Sequence, residues 1–218
     1  MYRPSVRGFP LRFRFERPLR RAHSGLVCDA VDGRSLSQRD TAGLRAAAER
    51  AGRDGVEILI FEDGPLGDAI VLATAVGSWV PGVLLGVRID LGPEPHRHPT
   101  VLAREMTTFD RVCGGRAVLV FSPPFTEATT EAATLCRTMW TDGVAAGTGP
   151  YYPVAGAINR PLPERVGGPP IALDLTAGAG ASRPPALLAL CDLVLVAAGA
   201  APPGVAPAGV ALCEIPQT

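Results

Sequence analysis

From Gly25 onward the chain repeats one order: a short β-branched or aliphatic run, a turn, then a helical stretch. This order constrains the fold more than any other feature, because strands joined through helices come to lie parallel in one sheet with the helices packed outside it. Residues 26–31 are predicted as the first strand. A helix is expected over 38–51, with Leu44, Ala47, Ala48 and Ala51 on one face and Gly52 ending it. Residues 56–61 form the expected second strand. Asp68 is placed to cap a helix running to Trp79, and Pro81-Gly82 turns the chain into a third strand over 83–89. Pro99 stands in the first turn of a helix that points Leu102, Met106 and Phe109 inward, until Gly114 and Gly115 stop it. A fourth strand over 117–121 and a fourth helix over 126–140 follow, with Gly143 as terminator.

Residues 143–170 are rich in Gly and Pro and lack periodicity, so they read as a long excursion rather than a linker, since apolar strands resume beyond them. Strands are expected over 171–175, 192–197 and 210–215, with a short helix from about Pro185. There is no room for an eighth unit. With 218 residues, 47% of them hydrophobic and 19% charged, one well-buried domain is the expectation. Regular βα alternation permits an open doubly wound sheet or a closed barrel. No G-x-G-x-x-G follows the first strand, which removes the best sign of a dinucleotide site and favours a shortened barrel. Residues 1–24 carry seven arginines and an alternating stretch over 11–16, and read as a basic arm or edge strand ahead of a barrel domain over 25–218.

All 21 basic residues are arginine, which excludes Schiff-base chemistry, pyridoxal phosphate attachment and a Walker-type lysine. The formal net charge of zero argues against a general nucleic-acid binder. The apolar stretch 186–201 is too short for a membrane span and contains Asp192, and the arginine-rich amino end lacks the apolar core of an export signal. The cysteines at 28, 113, 136, 191 and 213 are scattered, odd in number and free of C-x-x-C spacing. They suggest neither a disulfide framework nor a zinc cage, and point to a reducing cytoplasm. His96 and His98 are two apart but have no expected third metal ligand, so no metal site is assigned and His98 reads as a helix-start residue. Absence of a G-x-S-x-G elbow sets aside a serine hydrolase.

Three residues stand where barrel enzymes keep their chemistry, at the carboxyl ends of strands: Glu62, Asp63 and Ser122. The first two are candidates for acid/base work or substrate binding, or else form a solvated loop pair. After the fifth strand, Thr176 to Ser182 is a loop whose backbone N–H groups at Gly178 and Gly180 and hydroxyls at Thr176 and Ser182 can cradle a phosphate. Trp140 shares a helix face with Cys136 and is expected in the core. Tyr151 and Tyr152, in the irregular excursion, are candidates for a pocket or an interface.

Residues 98–116 run His98-Pro99, Leu102-Ala103-Arg104, Thr108-Phe109-Asp110 and Cys113-Gly114-Gly115-Arg116. This pattern resembles the luciferase-like flavin-dependent monooxygenase family, which carries "HP…LAR…TLD…SGGR" at its third helix and fourth strand. Trp140-Thr141-Asp142-Gly143, Tyr151-Tyr152-Pro153-Val154, Pro161-Leu162-Pro163 and Gly168-Pro169-Pro170-Ile171 continue the likeness in the same order, so it covers roughly residues 25–198. The resemblance implies an incomplete TIM-type β/α barrel that binds FMN or F420 at the carboxyl ends of its strands and oxidises a small organic substrate. It also implies a homo- or heterodimer and a flavin reductase as possible partners. Arg116 takes the "GGR" position, where it would organise the flavin end of the barrel or pair with a helix carboxylate. Two departures stand out. Glu62-Asp63-Gly64 lacks the histidine many active members place after Glu, and Ser122-Pro123 replaces the cysteine and flavin-contacting arginine of the luciferases. A non-catalytic, shortened relative serving as a dimer partner or ligand-binding protein is therefore the alternative reading.

Overall fold

The computed structural model describes residues 22–24, 38–63, 67–91, 97–147, 149–176, 184–197 and 211–215. The stretches predicted at 11–16 and 26–31 lie outside these. Seven strands form one parallel sheet in the order β1 (Ala22–Ser24), β2 (Ile58–Glu62), β3 (Leu84–Ile89), β4 (Ala117–Phe121), β7 (Ile171–Asp174), β8 (Leu193–Ala197) and β9 (Ala211–Ile215). The first described strand thus begins inside the segment read as a basic arm. The sheet rolls until its first and last strands approach within 8 Å between Cα atoms, although they share no ladder among the described residues. Of the two architectures the alternation permitted, the chain adopts the barrel type, shortened, with seven strands in its sheet among the described residues.

Helices α1 (Gln38–Arg53), α2 (Ala69–Trp79), α3 (Pro99–Val112), α4 (Glu127–Thr141) and α5 (Pro185–Leu190) pack outside. Their ends follow from local chemistry. The Asp68 carboxylate accepts from the amides of Ile70 and Val71 and starts α2, and the His98 ring accepts from Thr100 N ahead of Pro99 in α3. Thr126 and Thr129 form a reciprocal capping box at α4. Gly114, Gly115 and Gly143, with φ of 62°, 75° and 72°, turn the chain out of α3 and α4 in the left-handed region.

Strand alternation sorts the apolar side chains into two cores. Leu59, Phe61, Leu119, Phe121, Leu173 and Val194 face the helices and meet Leu102, Met106, Phe109, Met139 and Trp140. Ile58, Ile60, Val118, Val120, Ala172, Leu193 and Leu195 face inward and fill the lumen. Both faces are buried, which is why these strands read as unbroken apolar runs. Gly86 belongs to the inner layer, where an added Cβ would stand 3.2 Å from Val120 and 3.3 Å from Ile60. The interior is a packed core rather than a pore.

The excursion between α4 and β7 contains an element the sequence did not predict: an antiparallel pair, β5 (Val144–Gly147) and β6 (Val154–Ile158). Its Ala and Gly content gives neither alternation nor strand propensity to read. Among the described residues no helix is long and apolar enough to cross a membrane.

Candidate functional site

The inward positions that continue the lumen toward the carboxyl ends of the strands are no longer apolar. After Ile58 and Ile60 comes Glu62, after Gly86 comes Arg88, after Val120 comes Ser122, and after Ala172 comes Asp174. Glu62 and Arg88 are register partners on adjacent strands, and Arg88 donates from Nη1 to Glu62 Oε2 at 2.8 Å. Its Nη2 reaches Asp174 Oδ2 at 2.5 Å, across the intervening strand β4. The guanidinium therefore spans the barrel mouth above the Val120–Ala172 layer. Over it opens a cleft of about 370 Å³ lined by Glu62, Asp63, Arg88, Asp90, Arg97 and Ser122.

Arg97 borders this cleft from the segment before α3. It pairs with Asp63 at 3.0 Å, with Glu105 at 3.3 Å and with Asp68. Asp63 Oδ1 also accepts from Ala69 N at 2.8 Å, so one side chain ties the end of β2 to the start of α2. Burial pulls the Arg97 guanidinium down, but the three carboxylates outweigh it and leave it above its ordinary value. Burial raises the Glu105 carboxyl against the opposing pull of Arg97.

Two polar atoms of the cleft are buried without a hydrogen-bond partner: Arg88 Nε and Ser122 Oγ. Asp174 is saturated by contrast. Its Oδ2 faces Arg88, while Oδ1 accepts from both Thr176 N at 2.9 Å and Thr176 Oγ1 at 2.6 Å.

The residues singled out from the sequence part company here. Glu62, Asp63 and Ser122 come together in the cleft. Arg116 does not. It precedes β4, at the amino end of the strand, and donates to the carbonyls of Cys113 at 2.7 Å, Val80 at 2.8 Å, Val83 at 3.2 Å and Gly77 at 2.6 Å. Neither expected role describes it, since among the described residues it meets no helix carboxylate, and it stands at the wrong end of the barrel for a ligand at the strand tips. Thr176 sits beside the mouth, but both of its donors are directed at Asp174, so in this arrangement neither serves a phosphate. Gly178, Gly180 and Ser182 lie outside the described residues. Trp140 is buried, with Nε1 donating to Ala103 O at 3.0 Å, as its helix face predicts. Tyr152 is buried edge-on against His98 at 5.6 Å between centroids, whereas Tyr151 is exposed. Among the described residues no three His, Cys, Asp or Glu side chains come together as a metal-holding group.

Sequence reasoning missed Arg88, Arg97 and Asp174. A signal for two of them was present. Arg88 interrupts an otherwise apolar strand at an inward position near its carboxyl end, and Asp174 does the same in the fifth expected strand. Arg97 lay between two histidines that drew attention as a metal pair.

No protein-family model matches the sequence, nor does any curated protein sequence. Solved structures do share the fold. The coenzyme F420-dependent tetrahydromethanopterin reductase of Methanopyrus kandleri superposes with a TM-score of 0.61 at 14% identity, over 83% of this chain and 56% of that one. The EDTA monooxygenase of Chelativorans sp. BNC1 gives 0.63 at 17%, over 83% and 54%. The oxygenating constituent of 3,6-diketocamphane monooxygenase from Pseudomonas putida, a type II Baeyer-Villiger monooxygenase solved with FMN, gives 0.54 at 13%, over 72% and 51%. The likeness establishes the fold, a shortened TIM-type β/α barrel as the sequence led one to expect, and this chain spans little more than half the length of these neighbours.

Proposed function

We propose that the chain is a luciferase-like oxidoreductase of the monooxygenase type, whose strand-end cleft takes FMN or F420 together with a small organic substrate. The observation that carries this reading is the cleft itself, a cavity at the carboxyl ends of parallel strands that presents buried donors without partners. The pyrimidine edge of a flavin-type cofactor's ring carries two carbonyl acceptors, which matches Arg88 Nε and Ser122 Oγ. Its phosphate finds no such match among the described cleft residues, because Arg88 and Arg97 are already met by five carboxylates. We assign the phosphate to the loop of Gly178, Gly180 and Ser182, adjoining Thr176. The cofactor would supply the redox chemistry. Glu62 and Asp174 hold Arg88 in place, Asp63 and Arg97 fix the loop edges, and Ser122 would donate to the ring.

Free thiols at Cys113, Cys136 and Cys191 support work in a reducing cytoplasm, and the fold neighbours support a small organic substrate. A homo- or heterodimer served by a flavin reductase completes the proposal. Saturable quenching on titration with FMN or F420 is the expected result; no binding of either at high micromolar concentration sinks the oxidoreductase reading.

A second reading has its own support. With Glu62 held by Arg88, and Asp63 held by Arg97 and Ala69 N, the two carboxylates expected to move protons are engaged in structure. This arrangement suits a non-catalytic relative that binds a ligand or a partner subunit. Binding without turnover in the presence of a reductase, together with a stable dimer by light scattering, would select it.

A further inference from the structure

We propose that Arg88 Nε and Ser122 Oγ form a seat for one uncharged carbonyl group, that of an amide, imide or ketone, and that the seat discriminates against carboxylates and phosphates. The inference deepens the cleft reading above and rests on the cleft binding a small molecule, but not on that molecule being a flavin.

Its starting point is an imbalance between donors and acceptors. Arg88 carries five N–H groups: one on Nη1 meets Glu62 and one on Nη2 meets Asp174, while the buried Nε–H has found nothing. Ser122 Oγ is also buried and unpaired. Buried polar atoms in folded proteins are nearly always paired, and two exceptions on neighbouring strands in one cleft point to an absent partner. Arg88 and Ser122 both occupy inward positions, on β3 and β4, and both line the cavity. A carbonyl oxygen carries two lone pairs and can accept from both. Where an N–H adjoins the carbonyl, the hydroxyl can accept from it instead.

Charge settles which acceptor. Arg88 already faces two carboxylates, and Arg97, which lines the same space with Asp63 and Asp90, is met by three of its own. A ligand carboxylate would be a third anion around one cation, in a site where burial weakens screening. An uncharged carbonyl uses the same donors without that repulsion. Asp174 is the controlling residue because its two oxygens are committed, one to Arg88 and one to Thr176, so it cannot swing aside for an incoming anion.

The test uses a pair of probes of one shape, nicotinamide and nicotinate, at millimolar concentration with the full chain, read by ligand-observed saturation-transfer NMR. Nicotinamide is expected to bind about tenfold more tightly than nicotinate, the order of one partly screened repulsion between like charges. Ser122→Ala should remove about that much nicotinamide affinity while the circular dichroism melt stays unchanged. Asp174→Asn should narrow the ratio by admitting nicotinate. Should that variant fail to fold, the Ser122→Ala result decides alone. Equal binding of the two probes, a preference for nicotinate, no binding of either, or indifference to Ser122→Ala would each overturn the seat. Nicotinamide preference without FMN or F420 binding keeps the seat and discards the cofactor. Flavin binding without probe discrimination does the reverse.

Discussion

The two ends of this barrel use arginine in opposite ways. At the amino ends of the strands, Arg116 donates to four main-chain carbonyls, and Arg137 reaches Gly167 O at 2.9 Å, Leu190 O at 3.1 Å and the buried Asp192. Asp192 in turn accepts from Ile171 N, so the pair locks the starts of β7 and β8 to the end of α4. At the carboxyl ends, Arg88 and Arg97 meet side-chain carboxylates instead, and one donor is left over. Main-chain carbonyls are fixed by the fold and do not titrate. Carboxylates on strand tips and loops can exchange partners with a ligand. The end bound to backbone is therefore the one that keeps the barrel together, and the end bound to side chains is the one that can respond.

This contrast is open to direct attack. The largest effect belongs to Arg137→Ala, which takes the paired guanidinium away from the buried Asp192 carboxylate and should cost about 3–5 kcal/mol in urea unfolding. Arg116→Met leaves carbonyls of the α2–β3 turn without a donor, and should lower stability by about 1–3 kcal/mol while cleft affinity is retained. Lost ligand binding with an unchanged melt would mean that the amino end is not purely structural.

Next comes Asp68→Ala, which removes the cap of α2 and should lower stability by about 1 kcal/mol. Asp68 also pairs with Arg97, so binding in the cleft should shift as well. The smallest change in stability, within about 0.5 kcal/mol, is expected for Ser122→Ala, whose effect should fall on ligand affinity instead.

Acid titration sharpens the comparison. Burial raises the Asp110 carboxyl at the amino end, against the lowering pull of the Arg165 backbone N–H and guanidinium. An acid raised in the folded state holds its proton more tightly there, so its contribution is fully present below the unfolded value of about 3.9 and is lost as pH rises through the folded one. Urea midpoints should therefore gain from this site as pH falls from neutrality, and Asp110→Asn should flatten that part of the profile. Burial likewise pushes the Cys136 and Cys191 thiols up to about 12, so neither should react with iodoacetamide in the native state at neutral pH.

Legibility followed the range of the interactions. Helix starts at Asp68, Pro99 and Thr126 and stops at Gly114 and Gly143 rest on neighbours within a few residues, and the sequence states them openly. The β5–β6 pair escaped notice because Val, Ala and Gly in short runs mark no period, and its pairing is a contact between segments. Glu62 and Ser122 were legible as strand-end polar residues. Arg116 was visible but misplaced, because a motif position does not say which end of a strand a side chain serves.

Periodicity and end signals alone determined the parallel βα order, the apolar strands and the helix limits, since each depends on the chain's own spacing of side chains. Only the tertiary structure decided that Arg88 reaches across β4 to Asp174 and that Ser122 is left unpaired. Those outcomes depend on how far the sheet rolls before its edges meet. Rolling brings distant strand tips within the length of a guanidinium, a distance that no local pattern encodes.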